Sequence, residues 1–384
     1  MSETSKVDFL YLSEKDMIEA GVLDGKQCVD TMSEVMALLS EGDYRLGGNN
    51  GNSHGIALRF PKESPFPNMP LDGTDRRYMA MPAYLGGRFN KTGQKWYGSN
   101  KENTKKGLPR SILMVTLNDT DTGAPIAYMS GNLLSAMRTG AVPFVAARYV
   151  ARKDSRVLTI VGAGVIGTAS VICAMAEYPT IDTIKIKAGS VQSATAKRLK
   201  EYINENYPEV KNVEICATLE EAVKDADIIC EAVSVNNPDD MPHLKEEWVK
   251  PGAVILSSMC MVFDDDFIQN RASLVIDNWM MYEEFLEGAL LRQKAEGVKR
   301  PFGVVGTNLL NMVNNGKLKK EDVPLIGDLV RGVAEGRKSE DTIYVIGACG
   351  MPIEDVGWGY TCYENAMKKG IGTKLNLWDE PYLH

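Results

Sequence analysis

Three features of the sequence predict an α/β fold in which a doubly wound parallel sheet is inserted into an α+β domain. From Arg156 to about residue 277, short β-branched runs ("VLTIV", "TIKIK", "DIICEAV", "AVILSS", "LVID") alternate with helical stretches. Apolar strands separated by helices imply a parallel sheet covered on both faces. Within that region, "VLTIVGAGVIGTASVICAM" spaces Gly162, Gly164 and Gly167 as GxGxxG, behind a strand and ahead of a helix. The flanking sequence is different in kind, with hairpin-like strands before the region and a strand, a Gly-rich turn and a helix after it.

In chain order, "EKDMIEAGVLDGKQCVDTMSEVMALLSEG" alternates apolar and polar groups at helical spacing and reads as two short helices broken near Gly21 to Gly25. Residues 42–75 are rich in Gly, Asn and Pro and read mostly as loop. "YMAMPAYL" and "SILMVTL" read as strands, and "NDTDTGAPIAYM" supplies the turn of a hairpin. A long helix follows, "NLLSAMRTGAVPFVAARYVA", with Pro143 inside it as a possible kink. It leads directly into the glycine segment. Thr218 lies three residues before Glu221, the spacing of a capping box. Residues near 278–340 read as helical. The expected organisation is a domain of residues 1–150 with 335–384, interrupted by a doubly wound domain of residues 151–334.

Composition narrows the function. At 384 residues the chain is long enough for two cores. A formal net charge of −8 argues against a nucleic-acid partner, because phosphate binding requires a basic face. The polar, acidic start "MSETSKVDFLYLSEKD" is not expected to be a signal peptide. Val157 to Ala176 is uncharged and about as long as a membrane span, but its spaced glycines divide it into a strand and a helix, so no membrane segment is expected. Seven scattered cysteines without a CxxC pair suit a reducing, cytoplasmic setting. His54, His243 and His384 have no metal-ligand spacing, so no metal is expected and acid–base work falls to Asp, Glu, Lys or Tyr.

The glycine segment is the strongest chemical signal. In a Rossmann-type unit, the first glycine allows the tight turn, the second admits a pyrophosphate to the backbone, and the third lets helix and strand pack closely. The helix N-terminus then offers N–H groups to the phosphates. An acid at the end of the second strand would bind the ribose hydroxyls of NAD. Here "TIKIKAGSVQS" offers Ala188, Gly189 and Ser190 instead, with Lys187 nearby. The expected cofactor is NADP or NAD, with NADP favoured. Arg138 and Thr139 lie on the preceding helix, and Lys95 and Arg110 lie in the preceding strands and loops. Cations of this kind suit a small carboxylate, which Arg can hold bidentately; each taken alone also reads as an ordinary surface charge.

Taken together, "MPAYL", "KWYGSNKENTKKGLP", "DTDTGAPIAYMSGNLLSAMRTGA", "VLTIVGAGVIG", "DADIICEAV", "KPGAVI" and the tail "GMPIEDV…GIG" resemble the ornithine cyclodeaminase/μ-crystallin family over about residues 78–375. The resemblance implies an NAD(P)-dependent oxidoreductase acting on the C–N bond of a small α-amino or α-imino acid, as an imine reductase or amino-acid dehydrogenase. The alternatives in the same family are a cyclodeaminase that recycles bound NAD and an NADPH-binding crystallin. It implies that Lys95 and Arg138 hold the substrate carboxylate, with Arg59 as a further family arginine. It implies cofactor contacts at Gly162, Gly164, Val165, Ile166 and Gly167, and places Ala348 and Cys349 near the nicotinamide. It also implies a homodimer paired through the domain that does not bind nucleotide.

The family's proton-handling aspartate falls, ungapped, on Met261 in "SSMCMVFDDDF". Two readings remain open at this point. Asp264 or Asp265 reaches back to act as the catalytic acid, or the three aspartates only open the next helix. The missing aspartate bears most heavily on cyclodeamination, which needs several proton transfers on one bound substrate.

Overall fold

The structure, a computed structural model, describes residues 5–235, 237–296 and 304–383. Its strands form an eight-stranded mixed sheet, a seven-stranded sheet and a two-stranded pair among the described residues. The chain divides into two compact units, one of residues 1–23, 42–135 and 351–384, the other of residues 24–41 and 136–350.

In the first unit the sheet order is Thr373–Trp378, Val7–Leu12, Pro125–Ser130, Ser111–Asp119, Lys91–Ser99, Arg77–Leu85 and Tyr44–Leu46. Ile56–Arg59 shares the edge of Arg77–Leu85 with Tyr44–Leu46. Arg77–Leu85 alternates strictly, with Met79, Met81, Ala83 and Leu85 buried and Tyr78 and Pro82 exposed. That period of two fixes which side chains share a face. The helix Pro352–Lys369 covers the buried face; a Cβ on Gly93 would come 3.2 Å from Val356 of that helix. Trp358 is wholly buried on this helix as a core side chain.

In the second unit every strand pairing is parallel, in the order Asn212–Cys216, Thr183–Lys187, Val157–Val161, Ile228–Glu231, Val254–Ser257, Ile343–Gly347, Ala272–Ile276. The order reverses direction between Val157–Val161 and Ile228–Glu231, the switch point where ligands of such sheets sit. The predicted capping box is present, with Thr218 Oγ accepting from the Glu221 N–H at 3.1 Å.

The unit boundaries differ from the expected 1–150 with 335–384 and 151–334. Ile343–Gly347 is a strand of the parallel sheet, paired on both sides. The helix Gly25–Glu41, a single helix of 17 residues, groups with the second unit. Arg148 explains part of this, since its guanidinium bonds both Asp30 and Glu177 at 2.6 Å. Close backbone approach adds to it: a Cβ on Gly25 would lie 2.8 Å from the Ile172 carbonyl oxygen. The strand Asn212–Cys216, too polar to stand out in the sequence, lies at the sheet edge. The Val157–Ala176 segment is a strand and a helix, and no helix among the described residues is long and apolar enough to cross a membrane.

Candidate active site

The glycine turn lies at the switch point and has the shape of a dinucleotide cradle. Gly162 sits at φ +107°, and a Cβ there would come 2.8 Å from the Ala232 carbonyl oxygen. A Cβ on Gly167 would come 2.2 Å from the Gly162 carbonyl oxygen, so only glycine lets helix Val165–Glu177 press on the strand. A Cβ on Gly164 would meet nothing within 4 Å, which leaves that backbone open to a ligand. Gly164 is also the N-cap and supplies no side-chain cap to the helix. Val165 is 72% exposed beside it, and Ile166 is half-buried. These features fit a pyrophosphate against a helix N-terminus.

The second strand ends without an acid. Ser190 and Gly189 are exposed, and Lys187 turns its ammonium to the Ala188 carbonyl. On the preceding helix, Arg138 and Thr139 are buried, at 3% and 9% exposure. Ala348 and Cys349 follow strand Ile343–Gly347. Ala348 N–H donates to the Ser257 carbonyl at 3.1 Å, and Cys349 N–H donates to Asp277 at 2.8 Å. Asp277 is fully buried; desolvation pushes its pKa up to about 6, against the pull of Tyr282 and the N–H groups of Cys349, Asn278 and Gly350.

The "SSMCM" loop has an organiser that the sequence reading missed. Glu231, at the end of its strand, is 1% exposed and accepts from Ser257 Oγ at 2.7 Å, Val233 N–H at 2.7 Å and Met259 N–H at 3.2 Å. Burial raises its pKa, and these donors oppose the rise. Met261 is buried. Asp264 is not drawn inward: its side chain is 60% exposed and bonds His243 Nε2 at 2.9 Å. Asp265 pairs with Lys317, and Asp266 precedes the short helix Phe267–Arg271 without a side-chain cap. The exposure of Asp264 and its bond to His243 thus give no support to its reading as the catalytic acid. A charged residue ending the apolar run "DIICE" was the available signal for Glu231.

In the first unit Lys95 is 3% exposed and forms an ion pair with Asp355 at 2.9 Å, donating also to Ser135 Oγ at 3.1 Å. Asp355 is fully buried in the first turn of its helix, where the backbone dipole favours a carboxylate. Its neighbour Glu354 completes the end of that helix, accepting from Met351 N–H at 2.9 Å. Asp355 stands in the "GMPIEDV" block but was not singled out. Lys95 Nζ and Arg77 Cζ each lie 5.9 Å from the Tyr97 ring centroid. Arg110, 44% exposed, reaches Asp75 at 3.3 Å, and Arg77 bonds the same carboxylate. Desolvation and the neighbouring Arg77 charge lower the Arg110 pKa. Arg59 is exposed on the edge strand, directly opposite Arg77. Among the described residues no group of His, Cys, Asp and Glu could hold a metal ion.

The model of the ornithine cyclodeaminase/mu-crystallin family matches residues 23–370. The chain belongs to that family. It is 27% identical over 373 residues to the N-((2S)-2-amino-2-carboxyethyl)-L-glutamate dehydrogenase of Staphylococcus aureus, covering 97% of this chain and 99% of that protein. It is 29% identical over 303 residues to the alanine dehydrogenase of Archaeoglobus fulgidus, covering 78% and 83%. Its fold matches that of the Thermococcus litoralis Δ1-pyrroline-2-carboxylate reductase, solved with NADH and L-proline, with a TM-score of 0.73 at 24% identity over 95% of this chain and 99% of that one.

Proposed function

We propose that the protein is a nicotinamide-dinucleotide-dependent oxidoreductase acting on the C–N bond of an α-amino or α-imino acid. The observation that carries this reading is the glycine turn at the switch point, strained at Gly162, tight at Gly167 and open at Gly164. A bound nicotinamide supplies or accepts the hydride. The chain's own contribution is positioning and charge. Arg138 and Lys95 are the cations assigned to the substrate carboxylate. Asp355 pairs with the Lys95 ammonium, and Ser135 Oγ accepts from it, so the two fix its direction. The loop after strand Val254–Ser257 carries no acid at Met261, and Asp264 faces solvent. That supports a single reduction or its reverse, which needs one proton, over a multi-step lyase.

Relatives and fold neighbours include an alanine dehydrogenase and a reductase with NADH and L-proline bound. In this chain the strand end lacks the acid that selects NAD, and Ser190 is exposed there, so NADP(H) is proposed to serve at least as well as NAD(H). A homodimer is proposed through the first unit's open sheet face. There Ile56, Leu58, Tyr78, Trp96 and Ile112 are exposed, with Tyr78 and Trp96 stacked at 5.7 Å.

The test is a binding and turnover experiment on Arg138→Ala. Substrate affinity and turnover should fall while NADPH binding, read by nicotinamide fluorescence, stays near normal. Loss of NADPH binding with substrate affinity intact would overturn the assignment.

A further inference from the structure

The Lys95 face of the first unit's sheet carries more positive charge than one carboxylate requires. The registers Arg59↔Arg77, Arg77↔Ser99 and Ser99↔Ser111 place these four residues in one row across four strands. Directly opposed residues point to the same side of a sheet. Arg77 therefore shares its face with Met79 and Met81, and with Lys95 and Tyr97 on the next strand. Arg110 enters beside the row, immediately before Ser111.

Two arginines of this group, Arg77 and Arg110, share one acid, Asp75, whose carboxylate also accepts from Ser99 Oγ at 2.5 Å. Asp75 is held at φ +56°, a conformation few non-glycine residues adopt. One carboxylate against the two guanidinium groups of Arg77 and Arg110 leaves a cationic excess. Side-chain exposures of 24% for Arg77 and 44% for Arg110 keep the group open to a ligand while partly desolvated. A guanidinium in that setting grips a carboxylate strongly and bidentately.

We infer that the substrate carries a second acidic group, held by Arg77 and Arg110 while its α-carboxylate lies toward Lys95. The inference rests on the proposed amino- or imino-acid function and adds the substrate class, a diacid. Tyr97 sets the spacing. Lys95 Nζ and Arg77 Cζ each lie 5.9 Å from its ring, so they are separated by no more than twice that distance. Allowing roughly 4 Å at each end for a hydrogen-bonded carboxylate, the gap that remains is at most about 4 Å, which a four-carbon diacid or a folded five-carbon one spans. In the reductive direction, a 2-oxo diacid and an amine condense to an imine with loss of water. A bound reduced nicotinamide would supply the hydride for the imine carbon, and solvent the proton for the nitrogen.

Calorimetry of the dinucleotide-loaded protein with glutarate and with butyrate tests the second site without turnover. Glutarate should bind at least tenfold more tightly, and Arg77→Gln and Arg110→Gln should each cut that ratio severalfold. Arg110→Gln guards against misfolding of the first variant, because Arg110 is the more exposed. Equal affinities for the two acids, or an unchanged ratio in a folded Arg110→Gln protein, would overturn the inference. Turnover separates it from the reading beneath. Nicotinamide oxidation with pyruvate and ammonia but not with 2-oxoglutarate and ammonia would overturn the diacid and leave the oxidoreductase standing. If no imino acid is turned over while glutarate still binds selectively, the oxidoreductase reading fails and the diacid site stands.

Discussion

Two loops leave the carboxyl edge of the same parallel sheet, and their sequences give very different access to their roles. The glycine turn, residues 162–167, is determined by its own backbone: each glycine answers a local steric demand, at Ala232, at Gly162 itself, or by leaving space. The loop after Ser257 is determined from outside. Its conformation hangs on Glu231, 26 residues earlier, through Ser257 Oγ and the Met259 N–H. Spacing along the chain encodes the first kind of loop. The second exists only once strands Ile228–Glu231 and Val254–Ser257 are paired.

That contrast can be broken at either end. Gly167→Val should have the largest effect, since its side chain would overlap the Gly162 carbonyl; a loss of about 4 kcal/mol and of dinucleotide binding is expected, measured by urea unfolding and NADPH titration. A variant that still bound NADPH normally would show that the turn is not backbone-determined. Asp277 offers a test of the outside-determined kind. Its folded pKa of about 6 exceeds the ordinary carboxylate value, so the folded state binds its proton more tightly. The contribution is full below pH 4 and is lost as pH rises toward 6, by up to about 3 kcal/mol. The difference in stability between wild type and Asp277→Asn should therefore change over that window and be flat above pH 7.

Glu231→Gln should come next, at about 2 kcal/mol, because an amide NH2 would face backbone donors that now meet a carboxylate. Turnover should fall more than NADPH affinity. A silent substitution would remove the contrast between the loops. The smallest effect is expected for Asp264→Asn. With its carboxylate 60% exposed against His243, stability should change by less than about 0.5 kcal/mol, and turnover within twofold.

Much of the second unit was legible because β-branched runs, a capping box and glycine spacing are local signals; Val157–Val161 and Thr183–Lys187 fall where the sequence places them. The membership of Gly25–Glu41 was not, since the Arg148 bonds to Asp30 and Glu177 cross more than a hundred residues of chain on one side. Lys95 could be picked out by type, but its partner Asp355 lies 260 residues away in sequence and meets it only through the packing of a helix on a sheet. Arg77 was passed over beside Arg59 for the same reason. Strand register, which no single segment encodes, puts Arg77 on the Lys95 face, with Arg59 opposite it on the exposed edge strand.

The most direct measurement follows the nicotinamide absorbance while the protein reduces an imino acid formed from a 2-oxo acid and ammonia, with the amino acid quantified in parallel. One reduced nicotinamide should disappear for each amino acid formed. Ammonia and proline released from ornithine on catalytic NAD, with no net absorbance change and no imine reduction, would contradict the account.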